Sequence, residues 1–430
     1  MEYYNIGNKA EKVNLETAVF QGVAAGNNLY MPTEIPKLPS GFLDELPKLN
    51  FPEIAFEVAQ CWLSDDIGKK ELKAICKDAF SFPIPLAKLA PHLYTQELFH
   101  GPSMAFKDVG ARFMSRIMQH LLKGKDRKTQ ILVATSGDTG CAVALGFLGM
   151  PGIDVTILYP KDKITPLQQK QLTTVGGNVK AFAVEGTFDD CQDLVKQAFL
   201  DENLAKKHGL TSANSINILR LLPQSFYYFL IFQQLAHLKR PIVVSVPSGN
   251  FGNICAGLLA KKMGLPIYKF VASTNENRAF SMFMKTGNYR PLPTMRTISN
   301  AMDVGNPSNF TRVNELMEGN LQNFERMIES HAFTDAETLV GLNELLDNYM
   351  YISEPHGAIG YLGLKKALAG MEDFMVGVFL GTAHPVKFLE VLPENIRSKV
   401  AIPRAAAELL KIKSKQMTID ASLKALGKVL

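Results

Sequence analysis

The chain has 430 residues, of which 47% are hydrophobic and 20% charged, and a formal net charge of +5. That length exceeds one ordinary core and fits two or three packed units, while the composition excludes a disordered or fibrous chain. The mild basic excess is spread along the sequence, which argues against a nucleic-acid partner, and no apolar run reaches the length of a membrane span.

In chain order, residues 1–90 read as a mostly helical N-terminal segment. Pro-rich breaks fall between Pro32 and Pro39, and no strand alternation is evident. The opening MEYYNIGNKAEKVNLE has no apolar leader, and Cys61, Cys76, Cys141, Cys191 and Cys255 are dispersed without a CxxC pair. A cytoplasmic protein with reduced thiols and no metal site is expected. An amphipathic helix is expected to follow Asp108 and run to about Leu122. From about residue 130, short β-branched runs alternate with helical stretches: Ile131–Ala134, Val155–Tyr159, Val179–Val184, Ile242–Val246, Tyr268–Ala272 and Val376–Leu380. Continuous apolar runs separated by helices mark buried parallel strands. The fold class is therefore α/β, with two open α/β domains and mostly parallel sheets. The expected boundaries are 91–240 for a smaller domain, 241–400 for a larger one, and 401–430 for a helical tail.

Ligands of such sheets bind beyond the carboxyl ends of the strands. After the first run comes Thr135-Ser136-Gly137-Asp138-Thr139-Gly140, whose hydroxyls and helix-start N–H groups suit a carboxylate, although an ordinary turn capped by Asp138 or Thr139 has the same pattern. After Ile242–Val246 comes Pro247-Ser248-Gly249-Asn250-Phe251-Gly252-Asn253, a strand, glycine turn and helix that suit a phosphate. It matches neither GxGxxG nor the P-loop, so a cofactor with one phosphate fits better than a nucleotide. In HGPSMAFKD, Lys107 stands near a helix start, where a lone lysine is usually a solvated surface residue; beside Met104, Ala105 and Phe106, desolvation would free its amine as nucleophile and base. LGTAHP, at the end of the last run, reads alone as a turn capped by Thr382.

Together LFHGPSMAFKD, ATSGDTG, LTSANSINILR, VPSGNFGN and LGTAHPVKF, with YNIGN at the start and SNAMDVGNPSNF at 299–310, resemble the threonine synthase family. That family sits in the tryptophan-synthase-β-like group of fold-type II pyridoxal-phosphate enzymes. The likeness spans nearly the whole chain. It implies a lyase of threonine biosynthesis with pyridoxal 5'-phosphate held covalently on Lys107. It further implies that Gly249, Asn250, Phe251, Gly252 and Asn253 take the cofactor phosphate and that Thr382 faces the ring nitrogen. Many relatives carry Asn where this chain has Asp138, a carboxylate that would repel the ring's phenolic oxygen, so its contact stays open. Ser136 and Thr139 would take the substrate carboxylate. Asn214, Ser215 and Arg220 would hold the phosphate of O-phospho-L-homoserine, though Arg220 alone reads equally as a surface ion pair. The chemistry implied is loss of phosphate from Cγ followed by water addition at Cβ, with Lys107 shuttling the protons. A serine/threonine dehydratase or a non-catalytic homologue are the alternatives, and the Asn214–Arg220 segment discriminates against the first.

Overall fold

A computed structural model describes all 430 residues. The strands are β1 (Glu2–Asn5), β2 (Asn8–Asn14), β3 (Tyr30–Pro32), β4 (Leu86–Ala90), β5 (Leu93–Glu97), β6 (Thr129–Ala134) and β7 (Ile153–Pro160). They continue as β8 (Val179–Glu185), β9 (Leu210–Thr211), β10 (Ile242–Pro247), β11 (Lys269–Thr274), β12 (Ile328–Ala332), β13 (Val376–Gly381) and β14 (Met417–Asp420). All six apolar runs are strands, and the expected helix ends at Leu122 but begins at Lys107, so Lys107 and Asp108 open it rather than precede it. No helix is long and apolar enough to cross a membrane.

The chain forms two compact units. The first comprises Met1–Thr33, Lys107–Arg220 and Ile402–Leu430. Its main sheet has the order β14-β8-β7-β6-β9 and is parallel throughout. The side chains of β6 are all buried, which explains why that strand reads as a continuous apolar run. The second unit comprises Glu34–Phe106 and Leu221–Ala401. Its sheet has the order β12-β11-β10-β13-β5-β4, parallel except for the β4–β5 hairpin. Helices Asp335–Tyr349 and Pro355–Leu368 pack Leu342, Leu345, Tyr361 and Leu364 with Val243, Val271 and Phe379 of this sheet.

Three expectations need correction. Residues 1–90 do contain helices, among them Phe51–Leu63, opened by an Asn50–Glu53 capping box, and Lys69–Ala79. They also contain an antiparallel sheet, β2-β1-β3, and the first strand of a hairpin. Nor are they one segment: residues 1–33 belong to the first unit and the rest to the second. In the first unit Thr211 Oγ1 and Asn217 Nδ2 both donate to the Val19 carbonyl, at 3.0 and 2.9 Å. The C-terminal residues are not only helical either, because β14 pairs with β8. The boundary at 90 is replaced by divisions after Thr33 and Phe106, that at 240 moves to Arg220, and that at 400 lies within one residue of the division after Ala401. Residues 91–106 follow β5 into the second unit because β5 pairs with β13.

Candidate active site

The turn expected to take the cofactor phosphate, residues 247–253, lies in the second unit. Gly249 lies so close to the 299–302 stretch that a Cβ would sit 2.7 Å from Met302 Cα, so only glycine fits. Asn250 Oδ1 accepts from Ser308 N–H at 2.6 Å, and Asn309 Nδ2 donates to the Asn250 carbonyl at 3.1 Å. The buried Arg312 guanidinium in turn donates to Asn309 Oδ1 at 2.9 Å. The SNAMDVGNPSNF stretch therefore braces the turn, and the Asn250 side chain is engaged in that brace. Phe251 holds a left-handed backbone (φ 62°) that caps the helix Gly252–Met263, while its ring packs 4.7 Å from Phe280. Asn253 differs: its Oδ1 accepts from Tyr227 and Tyr228, while Nδ2, though buried, has no hydrogen-bond partner in the protein. An orphan amide donor in the first turn of a helix, beside free N–H groups and the positive end of its dipole, fits a phosphate.

The same unit holds the residues leading to Lys107. Phe106 N–H donates to the Thr382 carbonyl at 2.8 Å, and His384 N–H donates to the Met104 carbonyl at 3.0 Å. Met104 has a left-handed backbone (φ 60°), uncommon for a long side chain. Lys387 is fully buried and donates to the Ser103 carbonyl at 2.8 Å. Thr382 is not a helix cap. The short helix Pro385–Phe388 is capped by His384, whose Nδ1 accepts from Val386 N–H. The Thr382 hydroxyl instead donates, over a long 3.4 Å, to Glu354 Oε1. The sequence reading missed Glu354, which also accepts from His356 N–H, His356 Nδ1 and Gly357 N–H. His356 Nε2 accepts from Ala301 N–H at 3.2 Å, so its proton is on Nδ1.

In the first unit, Lys107 opens the helix Lys107–Leu122 and is half-buried. Asp108 is buried, and its charge supports that of Arg220, whose pKa burial depresses to about 10. Arg220 is 2% exposed and donates through Nη1 to the Ala213 carbonyl. It is therefore an interior residue, not a surface ion pair. A Cβ on Gly110 would lie 2.9 Å from Arg220 Nε, so glycine here admits the guanidinium to the first turn after Lys107. Asn214 Nδ2 donates to the Ala134 carbonyl at 3.3 Å, which brings the 214–220 segment to the strand end that carries Ser136 and Thr139. Ser215 is half-buried, as are Ser136 and Thr139.

The helix Asp138–Phe147 is capped neither by Asp138 nor by Thr139. Gly137, with φ 136°, is its N-cap, and the Thr135 hydroxyl accepts from Gly137 and Gly140 N–H at 3.0 and 2.8 Å. Asp138 Oδ1 accepts from Gln168 Nε2 at 2.9 Å. Gln168 belongs to a capping box with Thr165, a motif legible in the sequence but not as a partner of Asp138.

Comparison with known proteins extends this picture. A family model described as pyridoxal-phosphate dependent enzyme matches residues 82–378, and one described as threonine synthase N terminus matches residues 2–80. Threonine synthase of Escherichia coli is 42% identical over 100% of this chain and 99% of its own. That of Haemophilus influenzae is 46% identical over 94% and 93%. The chain belongs to the threonine synthase family. Crystal structures agree with that membership: the E. coli enzyme superposes with a TM-score of 0.91, covering 100% of this chain and 99% of the other. A pyridoxal-phosphate-bound threonine synthase of Brucella melitensis, 31% identical, superposes with a TM-score of 0.92, covering 100% and 98%. Tomato threonine deaminase, at 15% identity and TM-score 0.53, shares the fold alone. The family is one of pyridoxal-phosphate-dependent lyases of threonine biosynthesis, and the orphan amide of Asn253 fits that cofactor's phosphate.

Proposed function

We propose that the substrate is O-phospho-L-homoserine, which the enzyme converts with water to L-threonine and phosphate. The observation that carries this reading is the buried Arg220 seated over Gly110, one turn after Lys107. A guanidinium there supports a second anion site, apart from the Gly249–Asn253 turn reserved for the cofactor.

Gly252 N–H, Asn253 N–H and Asn253 Nδ2 hold the cofactor phosphate, with Gly249, Asn250 and Phe251 shaping the turn. When bound, the cofactor supplies the electron sink that makes the substrate's Cα and Cβ protons acidic. The Thr382 hydroxyl would serve the ring nitrogen, with Glu354 fixing its direction. Asp138 would lie in the loop beside the ring, with Gln168 donating a hydrogen bond to its carboxylate. Ser136 and Thr139 hydroxyls take the substrate carboxylate, while Arg220, Asn214 and Ser215 take its phosphate. Lys107 Nζ is the cofactor anchor and the base. It removes the Cα proton and then a Cβ proton, and returns a proton to Cγ after the Cγ–O bond breaks and phosphate departs. Water then adds at Cβ, and Lys107 returns a proton to Cα before L-threonine leaves. Five cysteines, none in a disulfide, support a cytoplasmic setting.

The test is direct. The purified protein with pyridoxal phosphate should release inorganic phosphate and L-threonine from O-phospho-L-homoserine in equal amounts. Ammonia release from L-threonine without any phosphate release would assign it to the dehydratases instead.

A further inference from the structure

The helix Phe226–Leu235 sends two consecutive tyrosines, both fully buried, to one atom of the cofactor-phosphate turn. Tyr227 Oη lies 2.5 Å from Asn253 Oδ1, and Tyr228 Oη lies 2.7 Å from the same atom and 3.0 Å from the Asn253 carbonyl. The two short distances are O–H···O lengths rather than N–H···O lengths, so the amide oxygen faces the tyrosines. The amide nitrogen is thereby turned away from both rings, and it is the buried atom without a protein partner.

The surroundings make room for this arrangement. Gly257 is one turn beyond Asn253 on the same helix face, and a Cβ there would lie 2.7 Å from the Tyr228 ring. Phe270 closes on Tyr228 edge-to-face at 5.8 Å, and the Tyr227 carbonyl accepts from Gln96 Nε2 at 2.8 Å. Burial holds both phenols far above their ordinary pKa, so they remain neutral donors.

An asparagine amide can turn over, and the two orientations present opposite chemistry to an anion: two N–H donors in one, a carbonyl oxygen in the other. We propose that Tyr227 and Tyr228 are positioning residues for the cofactor site, locking the Asn253 amide so that Nδ2 donates to the cofactor phosphate. Resting on the cofactor role given to Asn253 above, the inference adds that the amide's direction is set by the tyrosine pair. Without the pair the amide oxygen is free to point at the phosphate, where it repels.

The experiment compares Tyr227→Phe, Tyr228→Phe, the double variant and Asn253→Ala, together with each tyrosine variant in the Asn253→Ala background. Pyridoxal phosphate is removed and titrated back, following bound cofactor by its fluorescence and by the 31P shift of its phosphate. Each single variant should weaken cofactor binding about fivefold, and the double variant should approach Asn253→Ala. In the Asn253→Ala background the tyrosine changes should have no further effect, because the atom they position is gone. Tyrosine variants that bind within twofold of wild type would overturn the proposal. So would an equal loss with and without Asn253, since that marks mere core support. Phe keeps the ring, so the single variants retain the packing on which folding depends. The wild-type titration separately tests the cofactor reading, which fails only if the unaltered protein takes up no pyridoxal phosphate.

Discussion

The two units differ in how they treat the polar groups that the family likeness marks as functional. In the second unit the key donor is spare. Asn253 Nδ2 is buried, aimed by two tyrosines and bonded to nothing in the protein. In the first unit the charged groups are already engaged: Asp138 with Gln168, and Arg220 with the Ala213 carbonyl and the charge of Asp108. A resident cofactor can be awaited by a donor held ready, since the site is rarely without it. A substrate that comes and goes at every turnover needs a site whose charges are balanced when it is absent, because an uncompensated buried charge is costly. On the roles proposed above, the contrast is that between a site of permanent occupancy and one of exchange.

The strongest test of this division concerns two lysines. Lys107 belongs to the first unit, and the buried Lys387 to the second. Borohydride reduction of the loaded enzyme followed by peptide mass spectrometry should place the pyridoxyl group on Lys107 alone. Lys107→Ala should lower turnover by at least about three orders of magnitude, since it removes anchor and base together. A label on Lys387 would move the chemistry to the other unit.

Arg220 gives the next largest effect. Arg220→Ala should reduce kcat/KM for O-phospho-L-homoserine by roughly one to two orders of magnitude, with Arg220→Lys recovering part of the loss. Pyridoxal-phosphate loading should not change. The Ala variant should also melt earlier, because Asp108 loses its counter-charge. A lower melting temperature with unaltered kinetics would make Arg220 purely structural. In the second unit, Thr382→Val removes one hydroxyl from a near-isosteric side chain. It should cost about five- to tenfold in turnover and shift the visible absorption of the bound cofactor. Wild-type values of both would return Thr382 to the status of a turn residue.

The smallest effect is one of pH, and it lies within the second unit. Burial raises the Asp303 carboxyl to about 6, despite hydrogen bonds from Thr297 and Asn275 that oppose the shift. Burial lowers the His384 imidazole to about 4, helped by His100 and Lys387 and opposed by Glu97. The folded state holds the Asp303 proton more tightly than the unfolded chain does. Its contribution to stability is thus full at low pH and falls as pH rises through about 6. The folded state holds the His384 proton less tightly, so its contribution is full above the imidazole's ordinary value and falls as pH drops toward about 4. Between about pH 4 and 6 the two oppose each other. His384→Asn keeps an acceptor near Nδ1 but does not titrate. It should expose the Asp303 slope, with melting temperature falling from pH 4.5 to 6.5, whereas a flat profile in the variant would show that Asp303 does not titrate as described.

Much of the fold is legible in the sequence because the central parallel strands are buried on both faces, as with Thr129–Ala134, Ile242–Pro247 and Val376–Gly381. What escapes is at the margins. Strand β2, NKAEKVN, is mostly exposed, and β14, MTID, is short and open to solvent, so neither leaves a hydrophobic period. The site divides in the same way. Lys107, Thr382 and the two glycine turns each read alone as ordinary turn or helix-start residues, and only their combination in chain order singles them out. Tyr227, Glu354, Gly110 and Gln168 act on partners distant in sequence, and their local patterns are those of ordinary core, cap and helix residues. Gln168 reads as the third residue of a capping box, which is true and incomplete.

The pairing of β14 with β8 has a consequence for how the molecule is made. During synthesis Val179–Glu185 leaves the ribosome long before Met417–Asp420, and the whole of 221–401 is translated in between. Throughout that interval the nascent first unit carries an unpaired parallel edge, the kind of surface that recruits strands from other chains. The second unit, by contrast, has all its strands once Gly381 has emerged. The order of completion therefore runs against the order of the chain: the unit begun first is finished last, and its open edge is the period of greatest exposure to misassembly.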